Sequence, residues 1–205
     1  MDAFEKLIAT LLDHDGFWVK QSYKVGLTKE EKIKIGRPSA PRWELDIIAY
    51  KPAKNELWVV ECKSYLDSYG VQVRNFLEPG DKDYYKLFNE PVLRETVFYR
   101  LCEELRELGL VQKNPTVTLC LAAGHIKENA NRSDLEKYFK RNNWILLDEN
   151  WIIKSLEKAS TAGYEDDAAF VVSKILERNR NMNKTKKSTN QVTKQITQLP
   201  VLKVL

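Results

Sequence analysis

The sequence predicts an α/β domain, a central mixed β-sheet flanked by helices, with its elements in the order α-β-β-β-α-β and additional C-terminal helices. Three observations predict it. The chain opens on apolar residues at helical spacing, two adjacent strand-like runs share a short polar connection, and helices alternate with strands thereafter.

In AFEKLIATLLDHDG, residues Phe4, Leu7, Ile8, Leu11 and Leu12 recur at helical spacing, and Gly16 stands where a helix stops. GFWVKQSYKV follows, rich in the aromatic and β-branched residues of strands. The stretch GLTKEEKIKIGRPSAPR (26–42) reads as a long connection. WELDIIAY (43–50) and ELWVVECK (56–63) are two strands, and KPAKN between them suits a five-residue hairpin loop. SYLDSYGVQVRNFLEPGDKDYY is irregular and tyrosine-rich. PVLRETVFYRLCEELRELGL is a helix with proline near its start and Gly109 near its end. PTVTLCLAAG (115–124) is a buried strand, RSDLEKYFKRN a helix and NWILLD a short strand. NWIIKSLEKAS and YEDDAAFVVSKILERN are further helices. The domain is expected to span residues 1–180, with a basic tail over 181–205.

Composition bounds the function. Among 205 residues, 43% are hydrophobic and 30% charged, the balance of a globular domain. No run of eighteen apolar residues occurs, and the N-terminus carries acids where a signal peptide needs basic residues, so a cytoplasmic protein without a membrane partner is expected. Cys62, Cys102 and Cys120 form no CxxC pair, which argues against a disulfide framework or a zinc site. With only His14 and His125, a three-histidine metal site is excluded. No P-loop or dinucleotide fingerprint occurs, so ATP hydrolysis within this chain is not expected. The net charge is +4, yet Arg178 to the end carries seven cations and no acid, which leaves −3 on residues 1–177. A basic tail suits polyanions and equally suits a solvated terminus.

The chemistry gathers on the two adjacent strands. Side chains alternate across a strand, so Glu61 and Lys63 share a face with Val59, and Asp46 shares one with Ile48 and Tyr50. With 51–55 as the loop, Tyr50 pairs roughly with Glu56 and Asp46 with Val60. A shift of one residue sets Asp46 beside Glu61. Two carboxylates side by side in an apolar setting repel each other, and a divalent cation removes that cost. Mg²⁺ (or Mn²⁺) prefers such oxygen ligands and lowers the pKa of a coordinated water. A lysine on the same face can orient that water or stabilise charge on phosphoryl oxygens.

Asp46, fourteen intervening residues and then Glu61-Cys62-Lys63 resembles the D…ExK signature of the PD-(D/E)XK, or restriction-endonuclease-like, nuclease superfamily. The order of elements over residues 1–124 resembles that family's core. The resemblance implies a Mg²⁺- or Mn²⁺-dependent nuclease that hydrolyses phosphodiester bonds of nucleic acid, DNA in the first instance. It implies that Asp46, Glu61 and the backbone carbonyl of Cys62 hold the metal and that Lys63 is the catalytic lysine. Members often place an acid on the first helix, and Glu5 is the matching residue. Leu45 stands where the motif has proline, and no glutamine–tyrosine helix motif assigns a branch. Nucleases that cut both strands often act as dimers, which puts a homodimer among the expectations.

Other features have two readings each. Lys29, Lys32, Lys34, Arg37 and Arg42 precede Asp46 and can touch phosphates, but Glu30 and Glu31 dilute them and a solvated loop explains them too. Tyr65, Tyr69, Phe76, Tyr84 and Tyr85 can stack on bases of a single strand, or pack a long loop onto the core. Trp144 and Trp151 read as core. The apolar end LPVLKVL can add a strand to a sheet edge. Two competing functions stay open: a catalytically inactive nucleic-acid-binding module on the same fold, and an interaction protein in which the carboxylates merely pair with Lys63.

Overall fold

The first helix, α1 (Ala3–His14), is opened by a capping box: Glu5 N–H donates to Asp2 Oδ1 at 2.8 Å, and Asp2 N–H donates back to Glu5 Oε2 at 3.3 Å. The computed structural model describes residues 2–78, 84–127, 130–161, 163 and 166–197. Phe4, Ile8, Leu11 and Leu12 form the buried stripe of α1 against the sheet. Burial of each stabilises the fold by about 1.5–3 kcal/mol before entropy is counted.

Five strands form one sheet among the described residues: β1 (Trp18–Val25), β2 (Trp43–Lys51), β3 (Glu56–Lys63), β4 (Thr116–Ala123) and β5 (Ile145–Leu147), ordered as they occur along the chain. The pairs β1–β2 and β2–β3 are antiparallel, while β3–β4 and β4–β5 are parallel. The sheet is therefore mixed. Each parallel step is made through a helix, as parallel pairing requires.

Helix α5 (Pro91–Glu107) bridges β3 to β4, and α6 (Ala130–Arg141) bridges β4 to β5. Leu93, Val97, Leu101 and Leu105 recur every four residues on α5 and join Leu57, Val59, Leu119 and Leu121 in the larger core. Leu135 and Phe139 of α6 belong to the same core. The buried residues of α1 lie outside it, because α1 covers the opposite face of the sheet.

Three connections are more ordered than their sequences suggest. Residues 26–42 contain a short helix, α2 (Lys29–Lys34), with its own Thr28/Glu31 capping box. Two bidentate pairs pin this segment: Arg100 holds Glu31, and Arg37 holds Glu90 at 2.7 and 2.8 Å. The hairpin loop is a 3₁₀ turn (Pro52–Lys54) closed by Asn55 in the left-handed region, φ 49°. The side chain of Asn55 accepts from Tyr50 Oη and donates to the carbonyls of Lys113 and Asn114. After β3, the tyrosine-rich segment includes the short helix α3 (Arg74–Leu77), and a second short helix, α4 (Lys86–Asn89), follows it directly.

The chain divides into two units, Met1–Ile153 and Lys154–Leu205. Helix α7 (Glu149–Thr161) spans that boundary. In the second unit α8 runs from Ala168 to Thr197, with Phe170 and Ser173 buried, and Arg180 pairs with Glu157 at 2.9 Å. The line at residue 180 expected from sequence falls inside α8, and the LPVLKVL segment lies outside the described residues. No helix among the described residues is long and apolar enough to cross a membrane.

Candidate functional site

The β2–β3 register brings the predicted residues together. The pairing Ile47↔Val60 continues to place Asp46 opposite Glu61, one residue from the simplest hairpin register. Asn55 explains the difference: its left-handed turn leaves Lys51 opposite Glu56, so a four-residue loop replaces the five-residue one.

At Asp46 the strand departs from strict alternation. Leu45 and Ile48 both belong to the larger core although they are three residues apart. The pairs Gln21↔Ile47 and Tyr23↔Leu45 keep one register, so Asp46 and Ser22 face each other across an irregularity that adds no residue to either strand. Ser22 sits there at φ 49°, an uncommon conformation for a residue with a side chain. This local kink re-aims the Asp46 carboxylate from the alternation expected of it. Its Oδ2 accepts the backbone N–H of Cys62 at 2.8 Å and so serves as a side-chain acceptor where the β2–β3 ladder ends.

On β3, Glu61 and Lys63 share a face as alternation requires, and Lys63 Nζ lies 2.6 Å from Glu61 Oε1. Their side chains are 21% and 19% exposed, too buried for an ordinary surface pair. Lys63 Nζ also stands 6.0 Å from the ring centroid of Tyr85, itself buried. Glu5, in the first turn of α1, completes the group from a third element.

Electrostatics confirm that these groups feel one another. Burial pushes the Glu61 carboxyl above its ordinary value; Lys63 opposes this, and the charges of Asp46 and Glu5 reinforce it. Burial and then the Asp46 charge likewise raise Glu5. Lys63 is held above its ordinary value because Glu61 and Asp46 outweigh the opposing effect of burial. The Cys62 thiol is pushed far up by burial and by the charges of Asp46, Glu5 and Glu61. Three carboxylates and one lysine thus create a half-buried region of negative potential.

Hard carboxylate oxygens in a negative pocket fit a divalent cation such as Mg²⁺ or Mn²⁺ in donor chemistry. As placed, Glu61 is held by Lys63, and Asp46 by the Cys62 amide. Among the described residues no three His, Cys, Asp or Glu side chains stand ready to close around a metal ion.

The other predicted residues divide. Arg37 is consumed by Glu90 and stacks over Trp43, while Arg42 stays exposed. Phe76 and Tyr85 belong to an aromatic core with Phe88, Phe139 and Trp144, whereas Tyr69 and Tyr84 are 82% and 60% exposed. Tyr65 packs partly buried against the same core, so only Tyr69 and Tyr84 of these five aromatic residues present most of their rings to solvent. His125 Nδ1 lies 3.4 Å from Glu149 Oε1.

Two glycines were missed as site residues. At Gly124, just past β4, a Cβ would lie 2.3 Å from the Ser64 carbonyl oxygen and 3.1 Å from the Phe4 ring, and its N–H donates to Lys63 O at 3.0 Å. Gly124 therefore clamps the chain next to Lys63. Gly70 (φ +76°) lets the following loop close on His125 and Lys127, beside the Val71↔Ile126 bridge. The only sequence signal for either was a glycine at an element boundary.

No protein family and no curated protein matches the sequence. Among solved structures, the crystal structure of the protein of unknown function AF1548 is similar to 80% of this chain and 73% of its own, at 13% identity and a TM-score of 0.41. A likeness of that degree carries no argument about fold family or activity.

Proposed function

We propose that the protein is a metal-dependent nuclease with a restriction-endonuclease-like core, hydrolysing phosphodiester bonds of nucleic acid, DNA first among them. One observation carries this reading: Glu5, Asp46, Glu61 and Lys63, from three separate elements, form one half-buried group with an excess of two negative charges. A purely structural cluster gains nothing from such an excess, which lowers stability.

In this reading Asp46, Glu61 and the Cys62 carbonyl would hold Mg²⁺ or Mn²⁺, with Glu5 as an accessory acid. When bound, the cation supplies charge neutralisation at the phosphate and a more acidic water. The residues of the chain do the rest. Asp46, braced by the Cys62 amide, presents its second oxygen in a fixed direction. Lys63 gives up its bond to Glu61 and turns its ammonium to the phosphoryl oxygens, or holds the attacking water in line. Gly124 and Tyr85 keep the backbone and side chain of Lys63 in place.

The test is cleavage of linear and circular DNA with Mg²⁺ or Mn²⁺ by the parent protein, Asp46→Asn and Lys63→Ala. Both variants are expected to lose cleavage while keeping the fold. Cleavage that survives both substitutions refutes the site. A second reading is a non-catalytic nucleic-acid-binding module on the same fold; the 2.6 Å Glu61–Lys63 pair by itself is what a third, an interaction protein whose carboxylates merely pair with Lys63, expects. The binding module predicts metal-independent binding that weakens with salt.

A further inference from the structure

Beside the carboxylate cluster, the edge strand β1 borders a groove of about 720 Å³ lined by Lys20, Ser22, Tyr23, Lys24, Gly26 and Arg42 on one side and the end of α5 on the other. We infer that this groove is the track for the sugar–phosphate backbone of a DNA duplex, with Lys20, Lys24 and Arg42 as its phosphate contacts. The inference rests on the nucleic-acid reading above and adds to it a surface and a direction of approach.

One residue links the groove to the site. Ser22 lines it and, in the β1–β2 register, stands opposite Asp46. Backbone strain held at that point is the kind retained where a site must be shaped, since Ser22 keeps φ at 49° within a strand. The cations are free to meet a ligand. Lys20 and Arg42 are exposed and make no ion pair among the described residues, and Lys24 holds Glu44 only loosely, at 3.7 Å with both side chains half exposed. Glu104, an acid of the groove wall, is already bonded: Gly26 N–H donates to Oε1 at 2.8 Å and Tyr23 Oη–H to Oε2 at 3.3 Å. Glu107, on the α5 rim, is the remaining acid.

The row suits a polyanion. Lys20 and Lys24 line the groove on either side of Ser22, and Arg42 lines it from the residue before β2. A duplex carries a phosphate at every step along each strand and can meet all three cations at once. An acidic ligand bridging only one cation would not need the row. Lysines on an edge strand also discourage strand-to-strand association, so the experiment must separate the two roles.

Duplex DNA binding by the full chain is measured by fluorescence anisotropy in EDTA across a salt series. The combined variant Lys20→Ala/Lys24→Ala/Arg42→Ala is compared with the parent and with a charge-matched control on α6, Lys137→Ala/Lys140→Ala/Arg141→Ala. The groove variant is expected to lower affinity by about tenfold or more and to flatten the slope of log K against log salt by about 2.7, at 0.9 per lost phosphate contact. The control is expected to do neither. Binding that the groove variant leaves unchanged, or that both variants weaken equally, overturns the groove while the nucleic-acid reading stands. A parent protein that does not bind DNA even at low salt overturns both.

Discussion

Comparison of Asp46→Asn with Asp46→Ala separates the two things the Asp46 carboxylate does. It accepts the Cys62 amide at 2.8 Å, and it adds negative charge beside Glu5 and Glu61. Removing that charge takes away its repulsion of Glu5 and Glu61 together with its attraction to Lys63. Repulsion and attraction largely offset, so the relief from removing the charge is no more than about 1 kcal/mol. In Asp46→Asn the amide oxygen still accepts from Cys62, and the weaker neutral bond costs about 0.5–1 kcal/mol, which leaves stability nearly unchanged. In Asp46→Ala the Cys62 N–H loses its acceptor in a buried position, a cost of about 1–3 kcal/mol that exceeds the relief. The Ala variant should therefore fall below the Asn variant by about 1–2 kcal/mol, or roughly 2–8 °C in Tm for a chain of this size. Denaturant unfolding followed by tryptophan fluorescence in EDTA at neutral pH reads this difference. An Asn variant as destabilised as the Ala variant would refute the reasoning, because it would show the charge itself to be stabilising.

Three further outcomes are expected. Glu5 and Glu61 have folded-state values raised above their ordinary ones, so their contribution to stability is full below about pH 4.5 and is lost as pH rises through the raised values. Metal-free Tm should accordingly decline from about pH 5 towards neutrality, and Glu5→Gln combined with Glu61→Gln should flatten that decline; an unaltered profile would remove these carboxyls as its source. Gly124→Ala drives a methyl against the Ser64 carbonyl and should destabilise by about 2–4 kcal/mol, read as a shifted denaturation midpoint, whereas tolerance at parental stability would disprove the clamp. Burial pushes Glu31 up, but Arg100 and Thr28 outweigh it and hold it below the usual range. Arg100→Ala should cost about 1–2 kcal/mol and speed proteolysis within residues 26–42; a segment still protected would show that Arg37–Glu90 alone pins it.

Much of the fold was legible because its signals are local. The helical spacing of Phe4, Ile8, Leu11 and Leu12, the alternation through Val59, Glu61 and Lys63, and the apolar run 116–123 each depend on neighbours a few residues away. The same locality placed Glu61 and Lys63 on one face, and they do meet. Short helix α2 leaves no periodic signal because its KEEKIK sequence buries nothing; it forms through its capping box and through Arg100, sixty-nine residues from its partner Glu31.

The class of the sheet, the order of its elements and the chemical types at the candidate site are written in the local pattern of residues. The register that carries Asp46 towards Glu61, the kink with Ser22 that turns Asp46 to the Cys62 amide, and the fate of each loop residue emerge only once the chain is folded. Folding also decides that Arg37 is bound to Glu90, that Tyr85 is buried near Lys63 and that Tyr69 faces solvent. The physical reason is range. Periodicity and capping act within a turn or two of chain, whereas register, burial of loop aromatics and charge pairing depend on which distant residues arrive at the same place.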